Sequence, residues 1–410
     1  MDRCILHVDC NCFYASVEML YHPETRTCPM AVGGSEQSRH GIILAKNDLA
    51  KRCGVSTGEA LRLARQKCPD LLVLPPNFPR YLEFSHRVKQ ILACYTDQME
   101  SFGIDEAWLD VTGSIALFGS GEQIAHTIRR RIKEELGITV SVGVSWNKVF
   151  AKLGSDLKKP DAVSVITPDN FRQVIWPLPA SYLLGVGHAT QKRLSRLGIQ
   201  TIGELAQAPH TLLAKQLGKT GEMLWSYANG LEHSPVAQND VHAPVKSIGN
   251  STTTARDINT PADAKLVLTV LAESVCTRLR KQGFLCRTVS VSLRTTALHR
   301  SEFQCTLPQA SDETQLILHT AFDLLQTHFR WDCALRSLGI QLTGLCSAAE
   351  PIQLDLFSDP IRYSQLDHAV DRVRRRFGNA SVLRASILLD PTLIRLDPKA
   401  DHIIRSIGFH

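Results

Sequence analysis

The sequence predicts an α+β protein of several domains, and three observations lead there. The chain has 410 residues, where one domain takes roughly 100–200. Short apolar strand candidates alternate with amphipathic helices through the first third and again late in the chain. Between these regions, from about Leu178 to Leu231, only short helices and glycine turns can be read.

The elements follow in order. Cys4 to Val8 reads as a brief strand ending at Asp9. Met99–Phe102 and Ala107–Val111 read as two strands joined by the tight segment Gly103-Ile104-Asp105-Glu106. A helix follows, with Ser120 and Gln123 in capping-box spacing, an apolar stripe of Ile124, Ile128, Ile132 and Leu136, and Gly137 as its stop. Thr139 to Val144 alternates with the period of a half-buried strand. His233 to Ala243 is polar and reads as a linker. Beyond it the order is strand-helix-strand, twice. Thr260-Pro261 starts a helix lined by Leu266, Val270 and Leu271, and Thr288–Leu293 and Leu338–Leu342 alternate as strands. A tail with Pro351 and Pro360 precedes a helix from Tyr363 to Phe377.

Composition narrows the class. Apolar residues at 44% and charged residues at 21% exclude a disordered chain. No apolar run reaches the roughly 18 residues of a membrane span, and Asp2 and Asp9 flank the first apolar stretch, unlike a secretory leader. A soluble, cytoplasmic chain with no membrane partner is expected. The net charge of +6 permits a polyanionic partner without requiring one. The 12 cysteines are scattered with no C-x-x-C pair, so reduced, mostly buried thiols are expected rather than zinc ligands or disulfides.

Asp9 closes the first strand, and Asp105 and Glu106 sit at a turn between two others. On spacing alone, acids at strand ends are more often solvated turn residues. If the strands are neighbours, however, three carboxylates converge with no cation in sequence reach, an arrangement that needs positive charge between them. Magnesium, a hard ion that prefers carboxylate oxygen, answers that need. A pair of such ions suits in-line phosphoryl displacement.

His7-Val8-Asp9, then Phe13-Tyr14-Ala15-Ser16-Val17-Glu18, and Gly103-Ile104-Asp105-Glu106-Ala107-Trp108-Leu109-Asp110 together resemble a Y-family (translesion) DNA polymerase. The likeness is to the branch of bacterial DNA polymerase IV and the polymerase V catalytic subunit. Gly143-Val144-Ser145, Asn147 to Lys152, Lys159-Pro160, Lys246 to Gly249 and Leu335 to Ile340 extend it in the family's order over residues 1–345. The resemblance implies a right-hand architecture: palm at 1–12 and 78–168, fingers at 13–77, helix-hairpin-helix thumb at 169–232, linker at 233–244, α/β little finger at 245–346 and a tail at 347–410. It implies that Asp9, Asp105 and Glu106, with the backbone carbonyl of Cys10, hold two magnesium ions. It implies nucleotide contacts at Phe13, Tyr14, Lys51 and Lys159, Tyr14 being the steric gate that abuts C2′ of the incoming sugar. One stretch departs from the polymerase IV pattern: Asp48 stands where tyrosine is usual and Lys51 where arginine is. Asp48 cannot donate to a phosphate, and Lys51 keeps the charge without the bidentate fork.

Leu183-Leu184-Gly185-Val186-Gly187 precedes a helix with Thr190, Lys192 and Arg193, and Thr201 and Glu204 make a capping box after it. A glycine turn before a helix exposes backbone N–H groups to a phosphate, and in this context it is similar to the thumb's hairpin. Arg278, Arg280, Lys281 and Arg287 form a basic group with Arg294 and Arg336 on strands, read as phosphate contacts, joined by Lys246 and Ser247. Arg129, Arg130 and Arg131 read instead as a solvated face. Gln353-Leu354-Asp355-Leu356-Phe357 matches the pentapeptide by which bacterial polymerases bind the sliding clamp, a short segment with Leu and Phe anchors. The helix after it has Leu366, Ala369, Val370, Val373 and Phe377 on one face. Docking on the body and binding another protein both stay open for it.

The reading is a monomeric, template-directed DNA-directed DNA polymerase for error-prone translesion synthesis, with primer–template DNA, deoxynucleoside triphosphates and the clamp as partners. Accessory subunits, as in the polymerase V branch, stay open. The alternative is a non-catalytic, clamp-bound DNA-binding accessory protein, disfavoured because all three acids are present. A nucleotide cyclase on a similar palm would need neither the hairpin nor the clamp peptide.

Overall fold

The computed structural model describes residues 3–34, 41–239, 244–349, 360–378, 381–390 and 393, with the backbone alone for 360–363. Among these, residues 3–239 form one compact unit and residues 244–393 another.

The first unit opens with β1 (Ile5–Cys10). Its residues alternate between faces, as a pleated strand requires. Leu6, Val8 and Cys10 enter one core, while Ile5 packs on the opposite side with Trp108 and Ala151. Helix α1 (Phe13–Tyr21) follows Cys12, whose φ of 48° is left-handed. Next comes a small sheet in which β2 (Met30–Gly33) pairs antiparallel with β3 (Ile43–Lys46) and parallel with β4 (Leu72–Leu74). Helices α2 (Asp48–Arg52) and α3 (Leu61–Lys67) close its core around Ile43, Ala50, Leu61 and Ala64. Strands of three or four residues are too short to show a period, which is why none of the three is legible in the sequence.

After α4 (Phe78–Ala93) the chain forms β5 (Met99–Ser101) and β6 (Glu106–Asp110), then α5 (Ile115–Phe118), α6 (Gly121–Leu136), β7 (Val140–Ser145), α7 (Lys148–Leu157) and β8 (Val163–Val165). These strands make a five-stranded sheet in the order β5-β6-β1-β7-β8, with β1 antiparallel to both neighbours. Asp9 therefore lies inside β1 rather than beyond its end. Helix α6 is as the sequence reads: Ser120 and Gln123 cap each other's backbone, the four stripe residues are buried, and Gly137 (φ 71°) ends it.

Helix α7 seals the other face of the sheet at very short range. A Cβ on Gly143 of β7 would lie 1.9 Å from the Ala151 carbonyl oxygen and 2.5 Å from the Ser155 nitrogen. Only glycine permits that approach, and it brings Lys152 and Ser155 against the strand face that carries His7 and Asp9. The outer side of α7 supplies Phe150 and Leu153 to a helical core with Leu194, Ile202, Leu213 and Leu224. These belong to α9 (His188–Arg196), α10 (Ile202–Gln207), α11 (His210–Leu217) and α12 (Lys219–Ala228), which follow the short α8 (Phe171–Val174). The polar stretch read as a linker begins packed on this unit. Val236 is buried beside Ile5 and Trp108, the Ala237 N–H donates to Glu100, and the Asn239 N–H donates to the Asp97 carbonyl. Residues 240–243 lie outside the described residues.

The second unit runs β9 (Ser247–Ile258), α13 (Pro261–Lys281), β10 (Phe284–Thr295), β11 (Arg300–Ser311), α14 (Thr314–His328), β12 (Leu335–Thr343) and β13 (Cys346–Ser347). The main sheet is antiparallel in the order β11-β10-β12-β9, and α13 and α14 share one core with it. Strand β11 opens the second strand-helix-strand, but its bounds could not be read, because it is an edge strand with Arg300 to Glu302 and Gln304 to Thr306 all exposed, leaving no alternation. Helix α15 (Pro360–Phe377) settles its open question partly. Three of its polar residues turn inward: Asp367 and Asp371 pair with Arg280, and Arg374 pairs with Glu273. Leu366, Val373 and Phe377 stay exposed.

Two expectations fail here. The Arg280 side chain is 4% exposed and committed to Asp367 and Asp371, so it is no surface contact for phosphate. The cysteines are free but not mostly buried: Cys10, Cys68, Cys276 and Cys286 are, whereas Cys53, Cys94, Cys305 and Cys333 are exposed. Among the described residues no helix is long and apolar enough to cross a membrane. Replacing Gly143 with alanine should cost at least about 2 kcal/mol, because backbone rather than a flexible side chain stands in the way. Thermal unfolding of Gly143→Ala checks this, and an unchanged Tm would contradict it.

Candidate active site

Strand pairing assembles the site. Asp9 on β1 stands directly opposite Glu106 on β6, and His7 opposite Trp108, so these four share one face of the sheet. Asp105 precedes Glu106 in the turn from β5, and the Cys10 N–H donates to the Asp105 carbonyl at 3.0 Å. Ligand atoms of His7, Asp9 and Glu106 all lie within 4.8 Å of one another, the spacing a single cation could bridge. The structure thus brings together the two acid segments that the sequence kept 96 positions apart.

The cations missing from the acids' sequence neighbourhood come from distant segments. Lys152 on α7 contacts Glu106, and the Lys159 ammonium lies 2.8 Å from Asp9 and 2.7 Å from Asp156. Local sequence could not reveal this, since both lysines reach the acids only through the close packing of α7 on β7. His7, part of the His7-Val8-Asp9 run, takes a role that its sequence neighbourhood does not show. It is fully buried, with Nδ1 2.9 Å from Ser155 Oγ and Nε2 3.2 Å from Glu106. Its signal is spacing: two residues before Asp9 on a strand, it must share that residue's face.

The charges are unevenly relieved. Burial pushes Glu106 upward, but the His7 hydrogen bond and Lys152 outweigh it and hold its carboxyl below the usual range. Burial raises Asp9 despite the opposing pull of Lys159. Asp105 is pushed up to about 6, first by burial and then by the charges of Asp9 and Glu106. Two partly compensated carboxylates and a third, less relieved one fit a divalent cation, whose hard charge would favour all three as anions.

Around this cluster, Tyr14, in the first turn of α1, stacks on Tyr81 with ring centroids 4.3 Å apart and planes 13° apart. Burial, and then the charge of Asp105, raise its phenol. Phe13, at the start of α1, is 3% exposed, with its ring in the core. Lys51 and Asp48 are exposed on α2, which Asn47 caps through the Ala50 N–H. In the helical segment Gly185 has φ 90° and Gly187 is the N-cap of α9, which carries Thr190 and the exposed Lys192, as the hairpin reading requires. In the second unit Lys246, Ser247 and Arg287 are exposed, while Arg294 on β10 and Arg336 on β12 are half-buried. Of the arginine run on α6, Arg129 pairs with Asp161 and Arg131 with Glu135. Gln353, Leu354, Asp355, Leu356 and Phe357 lie outside the described residues.

Comparison with known proteins adds independent findings. Residues 8–156 match the impB/mucB/samB family, residues 245–356 its C-terminal domain, and residues 181–232 a DNA polymerase-iota thumb domain. DNA polymerase IV of Acetivibrio thermocellus is 50% identical over 399 residues, covering 97% of this chain and all of the relative. That of Moorella thermoacetica is 40% identical over 94% of this chain and 96% of its own length. DNA polymerase IV 2 of Bacillus subtilis is 37% identical over 94% and 95%. A solved Y-family DNA polymerase chimera aligns with a TM-score of 0.73 at 25% identity, covering 84% of this chain and 99% of its own.

The raised Asp105 carries a stability consequence. An acid whose folded pKa is about 6 instead of 3.8 costs the fold nothing at pH 3 and increasingly more as pH rises through that window. In the presence of a chelator, Asp105→Asn should therefore be more stable than wild type above pH 7, by on the order of 2–3 kcal/mol. The gain should fade as pH falls from 6 to 4. Paired thermal melts across that range test it, and a pH-independent difference would contradict it.

Proposed function

We propose how the catalytic work is divided in this chain, which belongs to the Y-family DNA polymerases of the DNA polymerase IV kind. It is a translesion DNA polymerase, a metal-dependent nucleotidyltransferase acting on primer–template DNA and deoxynucleoside triphosphates. Its fold class is that family's, with an α+β palm, small fingers, a helix-hairpin-helix thumb and an α/β little finger. In our reading the palm spans residues 1–12 and 78–168, the fingers 13–77, the thumb 169–232 and the little finger 245–346.

The observation that carries the reading is the Asp9–Glu106 register, with Asp105 next in line. Asp9, Asp105 and Glu106, with the Cys10 carbonyl, would hold two magnesium ions, which when bound neutralise charge at the attacking hydroxyl and the triphosphate. The chain's own residues do the positioning, on which such transfers chiefly depend. Lys159 binds the triphosphate: its ammonium already sits on Asp9, and phosphate oxygens compete for it. Lys51 adds a point charge from α2. Tyr14, its ring backed by Tyr81, excludes a 2′-hydroxyl by overlap. Gly185, Gly187, Thr190 and Lys192 hold duplex phosphate at the start of α9. Lys246, Ser247, Arg287, Arg294 and Arg336 grip it from the little finger. Gln353 to Phe357 docks into an apolar groove of the bacterial sliding clamp, raising the local concentration of primer ends. The enzyme works in the cytoplasm.

Primer extension by wild type and by Asp105→Ala tests the core of this. Wild type extends, and the variant loses at least about a hundredfold. Equal rates would remove the acids from catalysis, and two inactive proteins would favour the non-catalytic accessory. Tyr14→Ala should incorporate ribonucleotides that wild type rejects; unchanged sugar discrimination takes Tyr14 out of the gate. Deleting Gln353 to Phe357 should abolish stimulation by the clamp and leave unstimulated extension as it was. A full clamp response in the deletion would refute that assignment.

A further inference from the structure

We infer that Ser85 and Lys89, one helical turn apart on α4, are positioning residues for the acid pair, holding the backbone of the turn that carries Asp105 and Glu106. The inference rests on the reading of those acids as metal ligands.

The turn has few anchors of its own. Gly103 has φ 139°, a conformation that side-chain-bearing residues avoid, so the segment is not a continuation of either strand. At its ends the Phe102 N–H donates to the Glu106 carbonyl and the Cys10 N–H to the Asp105 carbonyl, both at 3.0 Å. The two carbonyls between them are taken by α4. Lys89 Nζ donates to the Gly103 oxygen at 3.1 Å, and Ser85 Oγ donates to the Ile104 oxygen. Residues four apart on a helix project from the same face, so one rigid element grips two successive peptide groups.

Neither donor is placed as a surface residue would be. Ser85 is 5% exposed, and Lys89 is half-buried. A half-buried ammonium that pairs with a carbonyl rather than a carboxylate is costly to desolvate. Burial indeed pulls it below the usual lysine range, against the pull of Asp105. Metal ligands must be held to within fractions of an ångström, and the side chains of Asp105 and Glu106 take their origin from this backbone.

Position and charge make opposite predictions for Lys89. As a bare positive charge near a cation site, it would repel the metal, and its removal would tighten metal binding. As a backbone anchor, its removal loosens the acids and weakens binding. Full-length Lys89→Met, Lys89→Arg and Ser85→Ala are compared with wild type in single-nucleotide primer extension and in manganese(II) binding followed by electron paramagnetic resonance without DNA. We expect Lys89→Met to lower kcat about tenfold or more, with KM for the nucleotide nearly unchanged and manganese affinity reduced several-fold. Lys89→Arg restores most of both, and Ser85→Ala changes both in the same direction by less. Unchanged kcat and metal affinity in Lys89→Met and Ser85→Ala would overturn the proposal, as would tighter manganese binding in Lys89→Met. If Lys89→Met does not fold, Ser85→Ala, which removes a donor but no charge, decides by the same readings. Asp105→Asn separates the two levels. A variant that still binds metal and extends primers defeats the ligand reading, whereas an inactive Asp105→Asn beside normal Ser85→Ala and Lys89→Met defeats the positioning role alone.

Discussion

The register of β1 between β6 and β7 is the constraint on which the rest depends. Side chains on a strand alternate, so a slip of one residue would turn His7 and Asp9 into the apolar core and Val8 toward α7. The slip is opposed from both faces. Leu6, Val8 and Cys10 are buried on one side and Ile5 on the other, and Asp9 is paired to Glu106 and to Ser141 at once. The backbone positions of the acids are thus fixed by hydrophobic burial of their neighbours rather than by any attraction of the acids for one another. That is how mutually repelling groups can be held together in a stable fold.

The second determinant is the closeness of α7. Gly143 and Gly154 let helix and strand backbones nearly touch, which places Lys152 on Glu106 and lets the chain after α7 return Lys159 to Asp9. The site therefore carries its own counter-charge, one lysine to each of two acids, and leaves Asp105 the least relieved. Acids balanced in this way can exist without metal and still gain from a cation. Lys159 is shared between Asp9 and Asp156, and an ammonium shared between carboxylates is available to phosphate oxygens that offer more charge.

The fold class and the strands that carry Asp9, Asp105 and Glu106 to one place were legible in the sequence. Helix α6 could be read to its caps because capping boxes and stop glycines are local. Asp9, Asp105 and Glu106 could be found because the motif around each is short and contiguous. What stayed hidden depends on contacts between distant segments: the lysines over the acids, the imidazole behind Glu106, and the burial of Arg280 under α15. A basic residue in a run of basic residues looks like a phosphate contact until its carboxylate partners arrive from some 90 positions away. Strands β2, β3 and β4 were too short for a period, and β11 has an exposed edge with none to display.

Asp9, Asp105 and Glu106 jointly hold divalent cations during nucleotidyl transfer in our proposal. Its most direct measurement counts manganese(II) ions bound to the protein in complex with a 3′-deoxy-terminated primer–template and a correct deoxynucleoside triphosphate. Two ions per complex are expected for wild type, with binding lost when Asp9 and Glu106 are changed to their amides. The same manganese stoichiometry and affinity in the amide variants as in wild type would contradict it.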